Sequence, residues 1–176
     1  MTMAKSKINP VILCVDDDTA VLQALRSLLE KTMGGQVDIE VAECGDDALD
    51  ICDDLAKEGR PVSIVISDYI MPNMRGDELL LKLHERSPKM IKIMLTGQSD
   101  LTGVRRVINK ASLYRFLEKP FNNADLVLTA KSAVDSYLAE EELQHKIDEL
   151  TLVHKALQQE LTSVQARLNP ATGRAG

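Results

Sequence analysis

Asp16, Asp17 and Asp18 stand together after the apolar run Val11 to Val15, and a fourth aspartate, Asp68, follows the run Val62 to Ser67. A hydroxyl with a glycine behind it, Thr96-Gly97, closes a third run, and an ammonium with a proline behind it, Lys119-Pro120, closes a fourth. Carboxylates gathered without His or Cys are hard oxygen donors that suit Mg²⁺, an ion that keeps several waters and takes one or two carboxylates together with phosphate oxygens. The threonine and lysine would complete a phosphate site. A carboxylate can also attack a phosphoryl group, with metal and lysine neutralising charge on the equatorial oxygens. Each residue taken singly has a plainer use: an aspartate after a strand caps the next helix at its positive dipole end, a lone threonine is solvated, a lone lysine is a surface charge. Placed together at four strand ends they point to phosphoryl chemistry, because open parallel sheets bind ligands outside the carboxyl ends of their strands.

That placement requires a particular scaffold. Five short apolar runs, Val11 to Val15, Val37 to Ala42, Val62 to Ser67, Ile91 to Leu95 and Leu113 to Leu117, alternate with stretches of helical period. The alternation predicts an α/β unit, a five-stranded parallel sheet wound with helices on both faces. The first helix follows Thr19 and carries Val21, Leu22, Leu25, Leu28 and Leu29 on one stripe up to Gly34-Gly35, where positive φ is free of cost. Others are expected over about 46–57, 76–86 and 101–110, and a fifth begins after Asn122 or Asn123 as its cap.

After Tyr137 glycine and proline vanish until Pro170, and the apolar residues fall into a heptad alternation of four and three. Leu143, Leu150, Leu157 and Val164 fill one seam position; Ile147, His154, Leu161 and Leu168 fill the other. Isoleucine at one seam position with leucine at the other favours a parallel two-stranded coiled coil, hence a homodimer, over a solvated or bundle-packed helix. His154 would face its twin in that seam, so charging it in acid should weaken the pairing. With nothing to interrupt it, the fifth helix is expected to run on from about Asp125 to Asn169, on the order of 65 Å at 1.5 Å per residue. The expected organisation is an N-terminal tail over 1–9, a globular domain over 10–137, a coiled-coil helix over 138–169 and a disordered tail over 170–176.

Composition narrows the function classes. Of 176 residues 44% are hydrophobic and 27% charged, as in a globular chain with a real core. Aromatics make up 3% with no Trp, so stacking platforms for single-stranded nucleic acid are not expected. A net charge of -6 argues against a general nucleic-acid surface. Nor does the acidic C-terminal stretch, with Glu140, Glu141, Glu142, Asp148, Glu149 and Glu160 against Lys146, Lys155 and Arg167, read as a basic zipper, so no direct DNA binding is expected. Cys14, Cys44 and Cys52 form neither a CxxC pair nor an even framework and read as reduced thiols. No apolar run reaches membrane length, so no membrane partner is expected and the cytoplasm is the expected compartment.

The segments VILCVDDDTAVLQALRSLL, VISDYIMPNMRGDELL, IMLTGQSD and YRFLEKPF together resemble the signature blocks of the response-regulator receiver domain of two-component phosphorelays, over about Val11 to Tyr137. The resemblance implies a flavodoxin-like, CheY-like fold and a regulatory domain whose only chemistry is its own phosphorylation and slow autodephosphorylation. It makes Asp68 the phosphoacceptor. Asp16 and Asp17 then hold Mg²⁺ together with Asp68 and the backbone carbonyl of Ile70. Thr96 is the switch hydroxyl, Lys119 pairs with the acyl phosphate, Gly97 leaves room for the phosphoryl group, and the bond before Pro120 is cis. The switch aromatic falls on Phe116, three residues before the lysine, and a phenylalanine can swing inward without donating a hydrogen bond. Ile70 and Gln98 sit where receivers tune access of hydrolytic water, and an apolar Ile70 implies a persistent acyl phosphate. Arg75 departs from the pattern, standing before Gly76 where an acid is common. The implied partner is a histidine kinase or phosphotransfer protein, with output through the surface of the fourth helix, fifth strand and fifth helix, where Arg105, Arg106, Lys110 and Arg115 fall.

The output itself stays open. In proteins similar to this one, such helices link a receiver to a nucleotide cyclase, phosphodiesterase or phosphatase domain. Two alternatives remain. A phosphotransferase of the haloacid-dehalogenase type also uses an aspartate nucleophile, Mg²⁺, a hydroxyl and a lysine on a parallel sheet, with Asp16-Asp17-Asp18 offering its DxD. A coiled-coil scaffold that has lost phosphorylation is the other.

Overall fold

The computed structural model describes residues 9–97 and 101–168. Its strands and helices alternate: β1 (Val11–Val15), α1 (Thr19–Met33), β2 (Asp38–Ala42), α2 (Gly45–Lys57), β3 (Val62–Asp68), α3 (Gly76–Arg86), β4 (Ile91–Thr96), α4 (Leu101–Ala111), β5 (Arg115–Glu118) and α5 (Asn123–Leu168). The strands form one parallel sheet in the order β2-β1-β3-β4-β5. The order reverses around β1, so β1 and β3 lie side by side in the middle, with Val15 opposite Ser67. The carboxyl ends of these two strands therefore meet. That crevice is where a doubly wound sheet binds its ligand.

The central strands read as continuous apolar runs because both faces are covered by helices. Every residue of β1 and β3 is buried. On one face Leu13, Val65 and Met94 pack with Leu79, Leu83 and Val107 of α3 and α4. β5 departs from its expected span by two residues. As an edge strand it has one neighbour, and of its four residues Leu117 alone is buried, while Leu113 packs against the core from outside the ladder.

Local signals set the helix ends. Asp18 caps α1, its Oδ1 accepting the Ala20 N–H at 2.8 Å, and Asn122 caps α5 by accepting the Ala124 N–H at 2.7 Å. The Gly34-Gly35 break follows α1, with Gly35 at φ 80°. The Lys119-Pro120 bond is cis. No described helix is long and apolar enough to cross a membrane.

The contacts divide the chain between Tyr137 and Leu138. In the first unit α5 buries Leu126, Thr129, Ala130, Ala133 and Val134. In the second the same helix continues to Leu168 without a buried residue among those described.

Candidate functional site

Parallel pairing sets the site. Because β1, β3 and β4 run together, their last residues Val15, Asp68 and Thr96 end on one edge of the sheet, and β5 brings Lys119 to the same edge. The Lys119 N–H donates to the Thr96 carbonyl at 2.7 Å, tying the end of β5 to that of β4.

Lys119 Nζ lies 3.0 Å from Asp16 Oδ2 and 2.5 Å from Asp68 Oδ1. Asp16 is 2% exposed and Asp68 7%, so both carboxylates are held out of bulk water beside one ammonium. The second oxygen of Asp68 is also fixed, accepting the Ile70 N–H at 2.8 Å. Burial is the largest influence on Asp68 and raises its pKa above the ordinary carboxylate value, with the charge of Asp16 adding to the rise; Lys119 and the Ile70 N–H pull the other way. For Lys119 burial acts downward, but its bonds to Asp68 and Asp16 outweigh it and leave the ammonium above its usual range. The result is a basic, oriented carboxylate oxygen beside a fixed positive charge.

The three N-terminal aspartates divide the work. Asp16 faces the lysine and also accepts the Asp18 N–H at 2.9 Å, Asp18 is the cap of α1, and Asp17 is exposed on the turn. Among the described residues no three carboxylate, imidazole or thiolate groups converge as a preformed metal cage. What converges is Asp16 and Asp68, two hard-oxygen donors, and one or two carboxylates with retained water is the donor set that Mg²⁺ takes. The site fits that ion.

Of the other residues singled out from the sequence, Thr96 is buried at the end of β4, with Oγ1 3.2 Å from the Gly97 carbonyl. Among the described residues nothing lies within 4 Å of where a Gly97 side chain would begin. Ile70 is 66% exposed and Phe116 41%, on the rim and on the edge strand respectively. Gln98 and the Arg106 side chain lie outside the described residues, as do the tails at 1–8 and 169–176. Arg105, Lys110 and Arg115 are exposed, as are Ile108 and Tyr114. All seven apolar residues of the proposed seam, Leu143, Ile147, Leu150, Leu157, Leu161, Val164 and Leu168, are exposed, and so is His154.

Three features escape sequence reading. The Ile70 N–H holds Asp68, a backbone role that no side chain announces. Gly76 is required by close approach: a Cβ there would run into the Asp68 carbonyl oxygen and come within 2.9 Å of the Tyr69 Cα. Tyr69, next to the acceptor, is fully buried beneath the guanidinium of Arg75.

The model of the response regulator receiver domain matches residues 12–131. The chain belongs to the response-regulator receiver family. Among curated relatives it is similar to the hydrogenase transcriptional regulatory protein HoxA of Cupriavidus necator, 26% identical over 163 residues, which are 90% of this chain and 32% of that protein. The receiver thus spans about a third of that relative's length. Among solved structures it is similar to the signal receiver domain of an HD domain-containing protein from Pseudomonas fluorescens Pf-5, at 31% identity and a TM-score of 0.66, covering 74% of this chain and 98% of that one. It is also similar to a structure described as adenylate cyclase from Rhodopirellula baltica, at 32% identity and a TM-score of 0.67, covering 78% and 98%. This receiver is a regulatory domain of two-component systems, and its fold is the five-stranded CheY-like sheet with a long C-terminal helix.

Proposed function

We propose that this receiver accepts a phosphoryl group on Asp68 from a histidine kinase or phosphotransfer protein, in a Mg²⁺-dependent reaction, and passes the signal on through the α4-β5-α5 surface and a homodimeric C-terminal coiled coil. The observation that carries the reading is Lys119 Nζ bridging Asp68 Oδ1 and Asp16 Oδ2, with the Ile70 N–H on the other oxygen of Asp68. The carboxylate is oriented from both sides before any donor arrives, which removes part of the entropic barrier to attack.

An Asp68 oxygen attacks phosphorus in line with the donor. The bond from phosphorus to the donor's imidazole nitrogen breaks, and that nitrogen leaves with the electron pair and takes up a proton. Asp16, Asp17, Asp68 and the Ile70 carbonyl would hold the Mg²⁺, whose charge would neutralise the phosphoryl oxygens. Lys119 supplies a second fixed cation on the same side. Thr96, one strand away, offers the hydroxyl that bonds the phosphoryl oxygen once it is in place. Drawing Thr96 inward makes room for Phe116, and the repacking alters the exposed surface of Arg105, Ile108, Lys110, Tyr114 and Arg115. Ile70 cannot orient a water for hydrolysis, which favours a long-lived acyl phosphate, and the same reading gives Gln98 a part in that rate.

Family membership and the site of Asp68 at the end of β3 favour this acceptor over the first-strand nucleophile of a haloacid-dehalogenase-like enzyme. The retained aspartates, threonine and lysine speak against a scaffold without phosphorylation. A solved relative described as an adenylate cyclase supports an output in cyclic-nucleotide chemistry carried by another segment or partner. The setting is the cytoplasm.

The test incubates the chain with Mg²⁺ and phosphoramidate, maps the labelled residue by mass spectrometry, and sediments it with and without beryllofluoride. One acid-stable, base-labile phosphoryl group on Asp68, absent from Asp68→Asn, is expected, with a dimer in both sedimentation runs. Label on Asp16 or Asp17 overturns the acceptor assignment. A monomer that pairs only with beryllofluoride moves the dimer contact from the helix to the receiver face.

A further inference from the structure

The segment between Asp68 and α3 carries a contact that the phosphorylation chemistry does not use. Residues 69–76 form a closed loop: the Gly76 N–H donates to the Tyr69 carbonyl at 2.9 Å, and the Met74 N–H donates to the Pro72 carbonyl at 2.7 Å across Asn73, which sits at φ 65°. Ile70 rides on this loop, and its N–H is the group that fixes Asp68 Oδ2. Any motion of the loop is thus a motion of the nucleophile's partner.

Arg75 fastens the loop from outside. Its guanidinium carbon lies 4.5 Å from the centroid of the Tyr69 ring, within cation–π range. Arg75 Nε also lies 3.3 Å from Oδ1 of Asp77, a carboxylate 4% exposed in the first turn of α3. Tyr69 is itself 0% exposed and belongs to the apolar cluster of Leu79, Leu83 and Val107. Arg75 therefore spans two anchors, a ring seated in the core next to Asp68 and a buried carboxylate at the start of α3. An acidic or neutral residue at 75 could make neither contact.

We infer that Arg75 is a positioning residue for phosphorylation: by clamping Tyr69 against the core and pairing with Asp77 it holds the Ile70 N–H on Asp68. The inference rests on Asp68 being the phosphoacceptor. An exposed cation–π contact and a half-exposed ion pair together correspond to about a five-fold effect on the reaction they support.

The experiment uses the full chain with Arg75→Met, Arg75→Lys, Tyr69→Leu and the Tyr69→Leu/Arg75→Met double variant. Phosphorylation by phosphoramidate in excess Mg²⁺ gives the limiting rate and the half-saturating donor concentration, and amide hydrogen exchange reads the Ile70 N–H directly. Arg75→Met is expected to lower the limiting rate about five-fold at unchanged half-saturation, and to speed Ile70 exchange by a similar factor while amides of β1 stay protected. Arg75→Lys, which keeps the pair with Asp77, should recover part of both. In the double variant the loss should be smaller than the two single losses combined, since both contacts hold one loop. Unchanged rate and Ile70 exchange in Arg75→Met overturn the clamp, as do additive losses. Should Tyr69→Leu fail to fold, the Arg75→Met and Arg75→Lys comparison still decides. Should the wild-type chain take no label on Asp68, the acceptor assignment fails, and Ile70 exchange still reports whether Arg75 holds the loop.

Discussion

The same residue types meet opposite fates on the two sides of Tyr137. In the receiver Ile12, Leu13, Ile64, Ile66, Leu79 and Ile93 are completely buried, whereas beyond Leu138 the large aliphatic residues from Leu143 to Leu168 are between 41% and 75% exposed. Aliphatic content does not separate the two regions; periodicity does. Continuous apolar runs between amphipathic helices close on themselves, because each strand finds neighbours in its own chain. A heptad stripe on one helix has no such neighbour, and its burial waits for another helix. The receiver carries its stability within the fold, and on the proposed reading the C-terminal helix lends its apolar stripe to assembly.

The largest expected effect tests that division directly. Ile66→Ala, in the middle of β3, should destabilise the receiver by about 3 kcal/mol in urea titration, from the lost transfer energy and the cavity left behind. Leu157→Ala should leave the receiver's unfolding midpoint unchanged and weaken self-association about ten-fold by sedimentation. A receiver transition that falls with Leu157→Ala would mean that the two regions share a core.

A smaller effect follows from the lysine inside the receiver core. Lys92 is 0% exposed, its Nζ donating to the Met90 carbonyl at 2.6 Å, and burial pulls its pKa down to about 8. The unfolded chain keeps the ordinary value of 10.5, so above about pH 8 it binds a proton that the folded chain has released, and stability rises with pH. Cys14 and Cys52 act oppositely: burial raises their thiols to about 12 and about 11, so their contribution falls away above the ordinary 9.0. The Lys92 contribution is therefore cleanest between about pH 8 and 9, and urea titrations there should show a rise in the wild type that Lys92→Met lacks. Equal slopes in the two proteins would mean that Lys92 is solvated.

The smallest effect concerns the site itself. Burial raises the Asp68 pKa, so the ionised carboxylate is less favourable in the fold than in the unfolded chain, and this cost is present above the unfolded carboxylate pKa. At neutral pH Asp68→Asn should raise the melting temperature slightly while abolishing phosphorylation. A drop in melting temperature would mean that the bonds from Lys119 and the Ile70 N–H outweigh the burial.

Much of the receiver was legible because parallel α/β units repeat a strong signal: apolar runs, capped helices and chemistry at strand ends. α3 lies over the span expected from Gly76 and Ser87-Pro88, and the strand-end aspartates, threonine and lysine do meet at one edge. β5 was misplaced because an edge strand buries one face and its apolar run is interrupted. Residue type alone could not separate the roles of Asp16 and Asp18, since both are aspartates in one turn; the family resemblance assigned Asp16 to the site, and three-dimensional direction sends it to Lys119 and Asp18 to the α1 N-terminus. The clamp of Arg75 on Tyr69 was invisible for the same reason, beyond the hint that a cation stands where acids are common.

Sequence alone determined the order of elements, the parallel sheet and the identity of the groups at its edge, because hydrophobic periodicity and residue chemistry are local properties of the chain. Tertiary structure decided which oxygen of which aspartate meets Lys119, that the Ile70 N–H holds the other oxygen of Asp68, and that Arg75 lies over Tyr69. Those are matters of direction and tenths of an ångström, set by how β1, β3, β4 and β5 pack side by side, and no one-dimensional pattern encodes them.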